Sequence, residues 1–308
     1  MANKTILEKL NELQDAKEDI QAAIREKGGV VSDDTLAGLA DDIRDIPQDG
    51  YAWGSIGWSE APNEWQQMVN DARAYKEAWE ALDPKPDIRT YFFGNTSIRM
   101  LPFLEEFNTS FNMSTAFQNC VNLRYIPDEL TIENATMVGG CFQNSDIVAA
   151  NGIKINPNCT AIDNLFYSCS SLISVPYLST QQVTSFSGFL NNCNSLEKIT
   201  ELDWSSVTGI INWCNNSSQN FRYCLIKNMG KSSLTTYRFD WKCFATWGIN
   251  SEKYPDARQS MIDTLITYSY DRATAGMSTA TIQLHANAKA RLTSEEIAQI
   301  TSKGFTLA

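Results

Sequence analysis

The spacing of apolar positions changes character along this chain, and each change predicts a different kind of element. Over residues 4–27, Ile6, Leu10, Leu13, Lys17, Ile20 and Ile24 are spaced 4, 3, 4, 3 and 4. That 3.5-residue repeat predicts a helix whose seam needs a partner helix. Lys17 takes a seam position, where a polar group sets register at some cost in stability. The alternative is an amphipathic helix folded back on its own chain. Gly28-Gly29 ends the helix. A second helix, capped by Ser32 or Asp33, presents Leu36, Leu39, Ala40 and Ile43 and stops before Pro47. After a Gly- and Trp-rich connector, Trp65, Met68, Val69, Ala72, Tyr75, Trp79 and Leu82 form one stripe of a third helix. The stripe reads as the face packed on the next module, ahead of a ligand-binding role. The Asp83-Pro84-Lys85-Pro86 run breaks this helix.

Beyond it the period lengthens to 24. Thr136, Thr160, Thr184 and Thr208 recur at that interval, and whole columns recur around them. One column is Phe117, Phe142, Phe166, Leu190 and Cys214. Two residues on stand Asn119, Asn144, Ser168, Asn192 and Asn216. The next is Cys120, Ser145, Cys169, Cys193 and Ser217, and three further on come Leu123, Val148, Leu172, Leu196 and Asn220. A fixed period of this size predicts a solenoid in which each repeat is one coil. Leu123-x-x-Ile126, Leu172-x-x-Val175 and Leu196-x-x-Ile199 predict a strand per coil, with Pro127 and Pro176 at or just past strand ends. In the second repeat Asn151 takes the Ile position, so its strand departs from the others.

The eight cysteines are explained by the same period. Cys is small, buries readily and donates weakly, so a Cys/Ser column predicts filler in a tight inner corner. The Asn column predicts side chains that cap turn backbone. Disulfides and zinc are the lesser readings: there is no C-x-x-C, and His285 stands alone. The repeat core is therefore expected to comprise Phe117, Cys120, Leu123, Phe142, Phe166, Cys169, Leu172, Leu190, Cys193 and Leu196.

Toward the C-terminus, Ile262, Leu265 and Ile266 suggest a helix, "TATIQL" alternates like a strand, and "LTSEEIAQITSKG" carries a capping box in Thr293 and Glu296 with Gly304 as its stop.

Charge changes the picture in one respect. Net charge is −11, which argues against nucleic acid as a partner. Residues 1–50 hold twelve acidic against six basic side chains, whereas 113–232 hold eight against six and are rich in Asn, Ser and Thr. No apolar signal-peptide core opens the chain, and no stretch approaches the ~20 apolar residues of a membrane span. Catalytic signatures are missing as well: no G-x-S-x-G, no phosphate loop, and no cofactor or metal motif. Glu197, Glu201, Asp203 and Asp163 are near-neighbour acids, but they read as a solvated face more readily than as a glycosidase pair.

"VTSFSGFLNNCNSLEKITELDWSSVT" resembles the BspA-type leucine-rich repeat, in which an aromatic, Cys and Leu-x-x-Ile recur in each coil; the resemblance covers roughly 95–235. "ILEKLNELQDAKEDIQAAI" followed by "VSDDTLAGLADDIRDIP" resembles the N-terminal module of phage tail-fibre and related virion proteins. The ending, from "DARQSMIDTL" onward, is similar to the tails of phage-encoded proteins of the same repeat class. The expected class is α+β: an N-terminal coiled-coil attachment module (1–50), a connector and capping helix (51–94), a leucine-rich-repeat solenoid (95–235) and a C-terminal cap (236–308). The resemblance implies a structural, adhesive virion protein, made in the host cytoplasm. It would be a homo-oligomer, most simply a trimer, anchored to capsid or tail by its N-terminus. Its repeat would engage a host-surface glycan or protein, with Tyr177 and Trp204 as candidate stacking groups. A bacterial surface adhesin and a virion glycan-degrading enzyme are the alternatives. The first predicts a signal peptide or lipobox, and the second predicts paired buried carboxylates.

Overall fold

The computed structural model describes residues 62–308 apart from 103, 127–131, 133, 149, 151–152, 216–220, 250 and 252–255. The predicted seam of Ile6, Leu10, Leu13, Lys17, Ile20 and Ile24 lies outside the described residues, as does the helix before Pro47.

Helix α1, Pro62–Glu80, lays Met68, Val69 and Ala72 on Met100 and Tyr125. At its other end the Trp79 ring meets Tyr91 and Phe92, with centroids 4.9 and 6.2 Å away. A turn leads to α2, Ile88–Phe92, capped by the Asp87 side chain accepting from Arg89 N. Helix α3 is Glu105–Thr109. From α2 onward the chain makes successive passes that lie over one another. Phe117 N donates to Cys141 O (2.8 Å), Phe142 N to Leu165 O (3.0 Å), Phe166 N to Phe189 O (3.1 Å) and Leu190 N to Trp213 O (2.7 Å). Isolated parallel bridges join the passes at Met100–Tyr125, Asn112–Met137, Ala161–Ser185 and Ser185–Gly209. Three later passes form a parallel sheet in the order β1 (Ser174–Tyr177), β2 (Lys198–Asp203), β3 (Tyr223–Lys227).

The remainder builds a second parallel sheet. Its order is β4 (Thr236–Phe239), β5 (Ala280–Leu284), β6 (Phe305–Leu307). Between β4 and β5, helix α4 (Ala257–Ile262) widens into a π-helical turn over Asp263–Thr267. Between β5 and β6 come α5 (Ala286–Lys289) and α6 (Ser294–Ser302). Helix α6 has the capping box that its sequence predicts: Glu296 N donates to Thr293 Oγ1, and Thr293 N to Glu296 Oε2.

The expected class is corrected on this evidence. Instead of a leucine-rich-repeat solenoid with one strand per coil, the described residues form a mixed fold of short helices and two small three-stranded parallel sheets, and the expected coiled-coil module at 1–50 lies outside them. Most passes contribute turns and a single bridge. The turn uses two left-handed residues per pass, and hydrogen bonds cross it from pass to pass at alternate residues, as in Met113 N to Met137 O, Thr115 N to Gly139 O, Phe117 N to Cys141 O and Asn119 N to Gln143 O. One left-handed file is Asn119 (φ 64°), Asn144 (59°), Ser168 (58°) and Asn192 (62°); the other is Thr115 (60°), Gly140 (62°), Asn164 (56°), Gly188 (65°) and Asn212 (49°). Asn and Gly alternate there because they tolerate this region best. The Asn column is thus selected mainly by backbone conformation. Side-chain rungs are secondary, the clearest being Asn144 Nδ2 to Asn119 Oδ1 at 2.9 Å.

Two register assignments also change. Ile147, fully buried, joins Leu123, Leu172 and Leu196, while Val148 is only half-buried. Val148 instead belongs to the file of Arg124 and Ile173, since Val148 N donates to Arg124 O and Ile173 N to Val148 O. Three residues further along, Ala150, fully buried, takes the position of Ile126, Val175 and Ile199; Asn151, given that position from the sequence, lies outside the described residues, as does Pro127. The second repeat is one residue shorter between its Ser145 and its core aliphatic. A fixed offset counted from the Cys/Ser column therefore lands one residue late. Pro176 lies within β1 and not past its end; β1 is an edge strand, where a missing N–H is tolerated.

Candidate binding surface

The recurring core residues come first, because they hold the surface in place. Phe117, Phe142 and Phe166 stack at 5.2 and 5.8 Å with interplanar angles of 17° and 13°. Phe117, Cys120, Leu123, Phe142, Phe166, Cys169, Leu172, Leu190, Cys193 and Leu196 are all fully buried. The Cys/Ser column makes one repeated hydrogen bond. Cys120 Sγ donates to Phe92 O (3.0 Å), Ser145 Oγ to Phe117 O (2.7 Å), Cys169 Sγ to Phe142 O (2.9 Å) and Cys193 Sγ to Phe166 O (3.0 Å). Each donor reaches back one pass to the carbonyl of the stacked aromatic file. That is why Ser can replace Cys: the corner needs a small buried donor. Burial pushes the Cys120 thiol up to about 11 and the Cys169 thiol up to about 12, and it raises Cys141, Cys193, Cys214 and Cys224 as well. Thiols held neutral in this way are poor nucleophiles. Among the described residues no group of three His, Cys, Asp or Glu could hold a metal ion.

The acids noted in the sequence are each engaged locally. Glu197 pairs with Arg222 at 3.0 Å. Asp203 accepts from Ser205 N, Ser205 Oγ and Asn228 Nδ2 at 2.8, 2.5 and 2.7 Å. Asp163 Oδ1 accepts from Ser185 Oγ and Ser187 N at 2.5 and 2.7 Å. These carboxylates fasten turns and do not converge as a pair across a groove.

What remains is an exposed strip beside the β1–β3 sheet. Tyr177 is paired in register with Glu201 and is 49% exposed. Its hydroxyl accepts from Gln181 Nε2 at 3.2 Å. Glu201 holds Lys227 Nζ at 2.7 Å, and that ammonium lies 5.1 Å from the centroid of the Tyr268 ring. Tyr268 is 42% exposed. The Lys227 ammonium titrates above its usual range, chiefly through its hydrogen bond to Glu201. Two half-exposed phenol rings thus flank a carboxylate–ammonium pair, with Tyr177 and Lys227 two strands apart and two residues out of register. The strip offers apolar ring faces, hydroxyls and a self-neutralised ion pair. Such a surface suits a hydroxyl-rich or amide-bearing ligand.

Of the two aromatics singled out in the sequence, Tyr177 is on this strip and Trp204 is not. Trp204 is fully buried, packed at 5.2 Å on Trp213 and stacked on Tyr237 and Phe239 at 6.0 and 5.8 Å. The chain bulges between Ile199 and Leu202, and Trp204 follows β2 into the core beneath β4. Tyr268, Lys227 and Gln181 carried no sequence signal as a group; Tyr268 arrives from the π-helical turn 41 residues after Lys227. No helix among the described residues is long and apolar enough to cross a membrane. No protein-family model matches this chain, nor does any curated protein or solved structure.

Proposed function

We propose that this chain is a structural, adhesive component of a bacteriophage particle that contacts the host surface through the strip of Tyr177, Glu201, Lys227 and Tyr268. The resemblance of its termini to virion proteins supports the placement, and the acidic first 50 residues are the proposed attachment segment. Self-association, most simply as a trimer, rests on the spacing of Ile6, Leu10, Leu13, Lys17, Ile20 and Ile24. Trimeric display would make weak single sites effective through avidity. The observation that carries the binding role is the pair of half-exposed tyrosines around a neutralised ion pair on a rigid, fully packed support.

The test is a binding assay of purified protein on host cells and on isolated host polysaccharide. The Tyr177→Ala, Tyr268→Ala double variant is expected to lose at least about tenfold in retention, the range for removing anchoring aromatics. Unchanged retention overturns the reading. Light scattering is expected to give three times the 34.5 kDa chain mass, and antibody labelling should decorate virions. Release of reducing sugar ends from the polysaccharide would favour a degradative enzyme instead.

A further inference from the structure

At the other end of the stack, where α1 gives way to α2, lies an open cleft of about 430 Å³. Its lining includes Trp79, Lys85, Asp87, Arg89, Glu106 and Asn112. Two ion pairs face it. Arg89 grips Asp87 as a fork, Nε to Oδ1 and Oδ2 at 3.0 and 3.1 Å and Nη2 to Oδ2 at 2.6 Å. Lys85 pairs with Glu106, and its ammonium lies 5.8 Å from the centroid of the Trp79 ring. Both pairs are accessible: the four side chains are 35–44% exposed.

Two features of this cleft select a ligand class. First, every charge in these pairs is already matched, so a ligand with net charge would have to open a pair and leave one partner uncompensated. Second, each pair sets a carboxylate acceptor beside a cationic donor. The complement of adjacent acceptor and donor is a pair of neighbouring groups that each donate and accept, which is a vicinal diol. The volume is in the range of small-molecule sites, which run from about 300 to 1,000 Å³.

We propose that this cleft binds a neutral sugar unit, with vicinal hydroxyls bridging the Asp87–Arg89 and Lys85–Glu106 pairs. The site is separate from the tyrosine strip and does not depend on it. It gives the protein a second sugar contact, beside α1 and α2.

The experiment uses the full chain with methyl α-glucoside, methyl α-galactoside and N-acetylglucosamine as probes, read by saturation-transfer NMR and calorimetry. At least one probe is expected to bind, with an affinity insensitive to salt because no net charge is transferred. Arg89→Met should weaken that binding about tenfold. The variant retains Asp87 as the α2 cap, and its melting transition should be unchanged, as for other exposed substitutions. In the Tyr177→Ala, Tyr268→Ala variant, where the strip no longer contributes, the probe should still bind and Arg89→Met should still weaken that binding. No transfer to any of the three probes overturns the proposal. So does binding indifferent to Arg89→Met, tighter binding of glucuronate or glucosamine than of the neutral sugars, or loss of probe binding in the tyrosine variant.

Discussion

Residues 111–214 and residues 221–308 face the same physical problem and meet it by different means. Both must satisfy the backbone of passes laid side by side. In the first region each pass is the template for the next, so one solution is repeated: a left-handed Asn, a stacked aromatic and a thiol or hydroxyl donating to the carbonyl one pass back. In the second region β4, β5 and β6 pair with one another, but among the described residues no further strand pairs with the outer edge of β3. Unique side chains do so instead. Ser260 Oγ accepts from Cys224 N at 3.3 Å, and Thr264 Oγ1 accepts from Ile226 N at 3.0 Å and donates to Cys224 O at 3.3 Å. Two hydroxyls on one helix thereby stand where another strand would pair with β3. Arg272, 1% exposed, donates to the carbonyls of Gly230, Ser232 and Ser278 at 2.7, 3.0 and 2.9 Å. Lys303 caps the end of the π-helical turn through Ile266 O and Ser269 O. Periodic structure is closed by aperiodic chemistry, because a free edge has no self-similar answer.

Alkali should act most strongly on the first region, where burial raises Cys120, Cys141, Cys159, Cys169, Cys193 and Cys214, against Cys224 in the second. The folded thiols titrate near 11 (Cys120) and 12 (Cys169), above the value of about 8.5 for an unfolded cysteine. Below that unfolded value both states are protonated and the stability is fully present. As pH rises further, the unfolded chain loses protons that the native chain keeps. Each unit then costs about 1.4 kcal/mol per protected thiol until the folded value is passed. Urea midpoints should therefore be flat to about pH 8.5 and fall steeply above it, with the thiols refractory to a colorimetric reagent until unfolding. Early reactivity of Cys169 at pH 8 would break the account of the first region.

Arg272→Met comes next, at about 3–4 kcal/mol in equilibrium unfolding, because it orphans the buried carbonyls of Gly230 and Ser232 at about 1–3 kcal/mol each. A loss below about 1 kcal/mol would mean that the loop at 230–234 is satisfied some other way. Thr264→Val, which keeps shape and removes the hydroxyl, should cost about 1–2 kcal/mol and increase amide exchange at Ile226. The smallest effects lie in the repeat: Cys169→Ser should be nearly neutral, because Ser145 already performs that role, whereas Cys169→Val should cost about 1 kcal/mol by leaving Phe142 O with one donor fewer. Equal losses for Ser and Val would show that the thiol acts by volume alone.

The recurrence at 24 residues made the buried columns legible, since stacking brings identical positions together whatever the exact coil geometry. It placed two of the strands, since Val175 falls in β1 and Ile199 in β2, but not which passes would lack one. A one-residue change such as that near Ile147 shifts both the core position and the hydrogen-bonding register, and a fixed offset along the sequence misses it. Trp204 shows the same limit. An exposed or buried tryptophan has the same local pattern, and only the bulge in β2 and the arrival of Tyr237 and Phe239 settle its position.

By itself the sequence determined the period, the small-donor column and the capped final helix, because each is set by contacts between residues at fixed separations. The tertiary structure alone decided which acids are tied up, which tyrosines meet Lys227, and how the last pass is sealed. Those outcomes join residues tens of positions apart, as in Lys227 with Tyr268 or Gly230 with Arg272. Only the packed chain brings such pairs within reach.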